Sequence, residues 1–328
     1  MRQKSLSKGG EIVMNIVILD GYTTDERELG WQGLEELGEV TYYERTSPCD
    51  VVNRAKNADI LISNKVILSR EVLCQLDKLK YIGLLSTGFN VVDLEYAKEK
   101  NIPVCNIPNY STKSVAQLTI ALILELAMGV GRHAASVNGG DWCRCKDFCY
   151  RVQDITELDG KTIGLIGYGA IAKEVAKIAS AFGMKVLAYR RSAFSDSIAK
   201  ATSLEEIYRQ SDVISLHCPM NKDSDRLIDK IAISKMKDGV LLINTARGGV
   251  VDEGALREGL DSGRIGGYAA DVLSTEPPTA DNRLIGAPNC YITPHIAWAS
   301  REARERLISI AVSNVKGFLA GKVQNCVY

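Results

Sequence analysis

Short apolar runs alternate with mixed, helix-like stretches from Asn15 onward. In the first hundred residues the apolar runs are Asn15–Leu19, Val40–Tyr43, Ile60–Ile62, Tyr81–Leu85 and Val104–Ile107, and each predicts a strand. Between them the pattern predicts helices over Glu28–Leu37, Cys49–Lys56, Ser69–Leu76 and Val92–Lys98. Strand and helix in regular alternation predict parallel βαβ units, so this stretch forms one α/β layer structure. Pro108 interrupts the series, because proline and the residue before it disfavour helix. A long, mostly apolar pattern then predicts one helix over Thr112–Ala135, followed by an irregular stretch from Gly139-Gly140 to Asp159-Gly160.

A second alternating series starts at Lys161. It predicts strands at Thr162–Ile166, Lys185–Tyr189, Val213–Leu216, Val240–Asn244, Tyr268–Ala270 and Cys290–Ile292. Six strands with helices between them match two mononucleotide-binding halves. The tail over Ser300–Leu319 has an amphipathic helical pattern and comes after this series is complete, so it is expected to return to the first layer structure. The expected architecture is α/β with two doubly wound parallel-sheet domains. One, residues 109–298, is a Rossmann nucleotide-binding domain. The other, residues 1–108 with 299–328, is a flavodoxin-like substrate domain.

Composition changes this picture little. The 328 residues are 46% hydrophobic and 24% charged, as in ordinary globular chains. Forty basic and forty acidic side chains cancel, so nothing points to nucleic acid or an anionic membrane. The longest apolar stretch, Val115–Val130, holds Gln117 and Glu125 and is too short to span a bilayer. Met1–Glu11 is polar and basic, without the apolar segment of a secretory signal, and is expected to be an extension with little structural role. Nine cysteines, an odd number, suit a reducing cytoplasm. Cys143, Cys145 and Cys149 have the wrong spacing for zinc, and free thiols with no metal are expected.

Candidate chemistry begins at Gly167-Tyr168-Gly169-Ala170-Ile171-Ala172, which follows one predicted strand and opens an Ala-rich helix over Ile171–Phe182. Strand, G-x-G-x-x-A and helix together predict dinucleotide binding, with the pyrophosphate at the helix N-terminus. Downstream, Arg247, Glu276 and His295 each follow the carboxyl end of a predicted strand, the edge where doubly wound sheets bind ligands. An arginine can fork onto a carboxylate and polarise a carbonyl. A histidine can pass a proton to a developing alkoxide, and a carboxylate bonded to an imidazole favours its charged form. These residues make a working set for reducing a 2-oxo acid. His217, after another strand, reads as structural or as lining the cofactor cleft, and His133 is given no role.

From Asn15 to Leu319 the chain resembles the D-isomer-specific 2-hydroxyacid dehydrogenases. The resemblance rests on Gly164-Leu-Ile-Gly167-Tyr-Gly169, Asn244-Thr-Ala-Arg247-Gly248-Gly249, Asp271-Val272, Glu276-Pro277 and Thr293-Pro294-His295. It implies Arg247, Glu276 and His295 as the catalytic residues. It implies Thr87, Gly88, Arg247 and His295 as substrate contacts. Cofactor contacts are expected from Gly167, Gly169, Ala170, Ile171, Arg190, Arg191, Thr245, Ala246, Asp271 and His295. A homodimer through the long helix is implied as well. Thr87-Gly88-Phe89-Asn90, Ser114-Val115-Ala116-Gln117 and Asp147-Phe148 resemble the glycerate dehydrogenase (hydroxypyruvate reductase) branch, so hydroxypyruvate or glyoxylate is the favoured substrate. Two alternatives share the fold. One is a formate dehydrogenase, against which Glu276 argues, because that branch carries Gln there. The other is a cofactor-sensing corepressor, which the intact Arg247, Glu276 and His295 set disfavours.

One position departs from the NAD pattern. An acid about 20 residues beyond the glycine loop binds the adenosine ribose of NAD. Here the strand ends Ala188-Tyr189-Arg190-Arg191-Ser192, with Arg190 in the acidic place. Two guanidinium groups and a hydroxyl suit a 2′-phosphate, so NADP is favoured and NAD is the alternative.

Overall fold

A computed structural model describes residues 13–25 and 28–328, so the expectation for Met1–Glu11 lies outside the described residues. The chain divides into two compact units. One runs up to Tyr110 and resumes at Ala299–Tyr328, and the other is Ser111–Trp298.

The first unit holds a parallel sheet of β1 (Asn15–Ile18), β2 (Glu39–Tyr42), β3 (Ile60–Ser63), β4 (Tyr81–Leu84) and β5 (Val104–Cys105). Their order is β2-β1-β3-β4-β5, the flavodoxin-like arrangement. β3 and β4 are buried along their whole length, which is why they read as unbroken apolar runs rather than alternating ones. The helices here are shorter than the pattern predicts: Gln32–Glu35, Val51–Ala55, Arg70–Leu73 and Leu94–Glu99. Local chemistry sets their starts. The Asp25 carboxylate holds the Leu29 and Gly30 amides in a turn, which delays the helix expected from Glu28. Asp93 caps the last by accepting from the Tyr96 amide at 2.8 Å. The closing helix, Arg301–Leu319, is capped by Ser300 and packs on Gln32–Glu35 and β4, so the C-terminal segment completes this unit.

The second unit is a seven-stranded parallel sheet of β6 (Thr162–Ile166), β7 (Lys185–Tyr189), β8 (Ala199–Ala201), β9 (Val213–Leu216), β10 (Val240–Asn244), β11 (Ile265–Ala270) and β12 (Cys290–Ile292). The order β12-β11-β10-β9-β6-β7-β8 is a Rossmann sheet with one added edge strand, β12. Six of these strands were expected, and β8 was not. At three residues, two of them exposed, it carries no periodic signal. Separate apolar clusters cover the two faces. Ala116, Ile123, Ala172, Val175 and Ala176 pack on one, and Ile207, Ile233, Leu256 and Leu260 on the other. Each fully buried Leu or Ile contributes about 1.5–3 kcal/mol.

The single long helix expected over Thr112–Ala135 is two helices, Thr112–Met128 and Val130–Asn138, bent by 59°. Gly129 sits between them with φ +59°, a left-handed cap that ends the first helix through its amide on the Glu125 carbonyl. The Glu125 carboxylate then takes the Gly131 amide at the start of the second. Among the described residues no single helix is long and apolar enough to cross a membrane. The bent pair qualifies by length and composition only, and the first of its helices is packed on the sheet.

Candidate active site

The strand order reverses between β6 and β9, and the glycine loop sits at that switch point. Gly167 has φ +91°, and a Cβ there would lie 2.5 Å from the Cys218 amide nitrogen. Only glycine lets the loop pass the end of β9. Gly169 differs. A Cβ would meet nothing within 4 Å, so open space lies against its backbone. It caps the twelve-residue helix Ala170–Ala181 without a side-chain cap, which leaves the first amides of that helix free. Free amides, the positive end of the helix dipole and open space beside them fit a pyrophosphate. Ala172, fully buried on β6, lets the helix seat closely.

A cleft of about 520 Å³ continues from this loop, lined by Gly167, Gly169, Tyr189, Arg190, His217 and Pro219 among others. His217 bonds Ser215 Oγ at 2.9 Å, and burial pushes its imidazole down to about 4, so it is neutral in the working range. This agrees with a residue lining the cleft. Arg190 and Arg191 stand at the mouth. Arg190 Nε donates to Ser192 Oγ at 2.9 Å, and its guanidinium lies 5.7 Å from the centre of the Phe194 ring. Arg191 is engaged elsewhere, in a 2.7 Å ion pair with Asp223 from the loop after β9. No motif or spacing marks Asp223. An Asx turn at Asn221 sets it there, with the Asn221 Oδ1 accepting from the Asp223 amide.

Arg247, Glu276 and His295 follow β10, β11 and β12, three neighbouring strands whose carboxyl ends share one edge. Their loops are tied together. Asn244, fully buried, donates to the Arg247 carbonyl at 2.9 Å and accepts from the Ala246 amide at 3.1 Å, so it fixes the turn that presents the exposed Arg247. The next residue, Gly248, is pressed on the Leu273–Ser274 backbone, where a Cβ would come within 1.9 Å of a carbonyl carbon. Glu276 accepts from the Leu273 amide through Oε1 at 3.0 Å and meets His295 Nδ1 through Oε2 at 2.5 Å. Imidazole and carboxylate are each about one-third exposed, which leaves the outer face of the ring open to a reactant. Thr245 Oγ1 lies 2.9 Å from Thr119 Oγ1, anchoring the Thr245–Ala246 turn to the Thr112–Met128 helix.

Asp271 was expected among the cofactor contacts. It is 1% exposed, and its carboxylate accepts from Thr293 Oγ1 at 2.6 Å and from the Ile296 and Ala297 amides at 2.9 and 2.7 Å. Three of its roughly four lone-pair positions are thus taken by the loop that carries His295. That loop needs holding, because His295 adopts φ +54°, left-handed for a residue with a side chain. Neither Asn244 nor Asp271 could be assigned this clamping part from spacing, since it is defined by contacts between loops.

In the first unit, Thr87 and Gly88 follow β4. Thr87 Oγ1 donates to the Ile107 carbonyl at 2.7 Å, and Asn106 Nδ2 donates to the Thr87 carbonyl at 2.8 Å. The Thr87 and Gly88 amides have no acceptor among the described residues. They form a pair of backbone donors on a braced loop.

All nine cysteines, including Cys143, Cys145 and Cys149, are free. His133, given no role from sequence, braces the segment after them: its Nε2 accepts from the Val152 amide at 3.2 Å.

Residues 120–297 match the family model for the NAD-binding domain of D-isomer specific 2-hydroxyacid dehydrogenases. The chain is 47% identical over 320 residues to a hydroxypyruvate reductase of Blautia hydrogenotrophica, covering 96% of this chain and 99% of that one. It is 44% identical over 292 residues to a glycerate dehydrogenase of Methylorubrum extorquens, covering 88% and 92%. Its fold superposes on a D-lactate dehydrogenase from Aquifex aeolicus, solved with NAD and lactic acid, with a TM-score of 0.81 at 34% identity over 94% of this chain and 96% of that one. The matched span contains the glycine loop, Arg247, Glu276 and His295, and the chain belongs to the D-isomer specific 2-hydroxyacid dehydrogenase family as an NAD(P)-dependent oxidoreductase.

Proposed function

We propose that this enzyme reduces a small 2-oxo acid, hydroxypyruvate or glyoxylate, to the D-2-hydroxy acid, with NADP as its preferred cofactor. The observation that carries the chemistry is the 2.5 Å contact between Glu276 and His295 on the ligand-binding edge of the sheet. The carboxylate takes Nδ1, so the imidazole presents Nε2 outward as the proton-carrying atom. His295 donates that proton to the carbonyl oxygen as it becomes an alkoxide, and takes it back in the reverse direction. Glu276 stabilises the imidazolium and orients the ring, which is why its second oxygen is pinned to the Leu273 amide. Arg247 forks onto the substrate carboxylate and polarises the carbonyl. The Thr87 and Gly88 amides are further donors of the right kind for a carboxylate. The bound nicotinamide supplies the hydride. Gly167, Gly169, Ala170 and Ile171 hold the pyrophosphate, and the Thr245–Ala246 turn and Asp271 line the nicotinamide end.

The substrate reading is supported by the hydroxypyruvate reductase and glycerate dehydrogenase at 47% and 44% identity. The cofactor reading is supported by Arg190, exposed at the cleft mouth where an acid would select NAD. Thr112–Met128 and Val130–Asn138 are the proposed contacts of a homodimer, in keeping with exposed Met128, Val130 and Val137. A panel of small 2-oxo acids assayed with NADPH and with NADH tests both parts. Turnover greatest on hydroxypyruvate or glyoxylate with NADPH is the expected result. A strong preference for NADH would overturn the cofactor assignment, and no turnover of either acid would overturn the substrate assignment.

A further inference from the structure

The C-terminal tail adds a short antiparallel bridge to β5, and it places two cysteines opposite each other, Cys105 and Cys326. The flanking hydrogen bonds fix the kind of pair. The Asn106 amide donates to the Asn325 carbonyl at 3.1 Å, and the Val327 amide donates to the Val104 carbonyl at 3.0 Å. Cys105 and Cys326 therefore face each other between these bonds, as a non-hydrogen-bonded pair. In such a pair the Cα atoms stand about 4.5 Å apart and the side chains project to the same side. That separation lies within the range that a disulfide spans. The Cys105 thiol lies against both the Cys326 thiol and the Tyr81 hydroxyl. The tail is held in this register at two more points. Asn325 Nδ2 donates to Asn314 Oδ1 at 2.8 Å, and the Tyr328 hydroxyl donates to the Ile102 carbonyl.

We propose that Cys105 and Cys326 are an oxidisable dithiol, a modification site at which a hydroperoxide closes a disulfide between the tail and β5. Exposure sets the order of events. Cys326 is exposed, whereas Cys105 is fully buried. Burial also pushes the Cys105 thiol up to about 11, so it is the poorer first nucleophile. The Cys326 sulfur attacks the peroxide oxygen, the O–O bond breaks, and a sulfenic acid and one water form. The Cys105 sulfur then attacks the Cys326 sulfur, the S–O bond breaks, and the hydroxyl leaves as a second water. Two thiols lose two electrons and two protons, and one hydrogen peroxide becomes two waters. Cys105 precedes Ser111 and Cys326 follows Trp298, so the bond closes a covalent ring containing the whole second unit. Such long loops are those in which a cross-link constrains the unfolded chain most.

The test uses the full chain, reduced, then treated with hydrogen peroxide, alkylated and peptide-mapped without reduction. A peptide containing Cys105 joined to one containing Cys326, and released by dithiothreitol, is the expected result. In Cys326→Ser, which changes only an exposed side chain, Cys105 is expected to stay reduced and alkylatable after unfolding. Two results overturn the proposal. One is Cys326 carried to the sulfinic or sulfonic acid while Cys105 stays free. The other is Cys105 oxidised equally in the wild type and in Cys326→Ser.

Discussion

Glu276 and His295 form one unit. One carboxylate oxygen meets the imidazole Nδ1 at 2.5 Å, and the other is bonded to the Leu273 amide at 3.0 Å. The ring is therefore oriented by a group that is itself held. Glu276→Gln keeps the shape and removes the charge. It is expected to lower kcat for 2-oxo acid reduction by about ten- to a hundredfold, within the range of general acid–base contributions. Cofactor affinity should change little. Steady-state kinetics and cofactor titrations on the wild type and the variant check this.

The Asp271 carboxylate accepts from three donors in the Thr293–Ala297 segment. In Asp271→Asn, one of those donors must face an NH2 group. A buried donor without its partner costs about 1–3 kcal/mol. Both the thermal midpoint and kcat are expected to fall, because the same bonds hold His295 in its left-handed backbone. Melting curves and steady-state kinetics on the one variant check the coupling, and loss of kcat at unchanged stability would separate the two effects.

Arg190 and Arg191 differ in what they have free to offer. Arg191 is held by Asp223 at 2.7 Å, and both partners are well exposed. Asp223→Asn releases Arg191 and removes a negative charge from the cleft mouth. The KM for NADPH should fall about two- to fivefold, the worth of an exposed ion pair, and the KM for NADH should hardly move. Arg190→Asp should do the reverse, raising the KM for NADPH roughly tenfold or more, since it deletes a charged hydrogen bond and adds repulsion. Cofactor titrations at fixed ionic strength read both.

His217 gives a pH signature in stability. Burial lowers its folded pKa to about 4 from the ordinary 6.5, so the folded state favours the neutral ring. Below pH about 6.5 the unfolded chain takes up a proton that the folded chain refuses. This contribution is therefore full above that pH and is lost as pH falls toward 4, at no more than about 1.4 kcal/mol per pH unit. Urea unfolding midpoints measured between these limits should fall more gently in His217→Gln than in the wild type.

Strand positions were legible because the buried strands are continuous apolar runs. β6, β7, β9, β10 and β12 begin and end at the residues that the pattern predicts. β8 was not, because three residues, two of them exposed, carry no periodic signal, and neither were the short helices of the first unit, whose starts are set by turn chemistry at Asp25, Gly30 and Asp93 rather than by periodicity. The expected long helix failed at Gly129, a residue that periodicity passes over and backbone conformation does not. The three polar residues at strand ends were legible because parallel strands bring their carboxyl ends to one edge. Asn244, Asp223 and the clamping part of Asp271 were not, because each acts on a loop far away in sequence or through a turn that no spacing rule describes.

The rate of hydroxypyruvate reduction by the wild type and by His295→Ala, followed by oxidation of the reduced cofactor, bears most directly on the chemistry. Steady turnover in the wild type and a loss of about 10²–10⁴-fold in the variant is the predicted result. Equal rates in the two proteins, or a wild type that reduces hydroxypyruvate with neither cofactor, would contradict it.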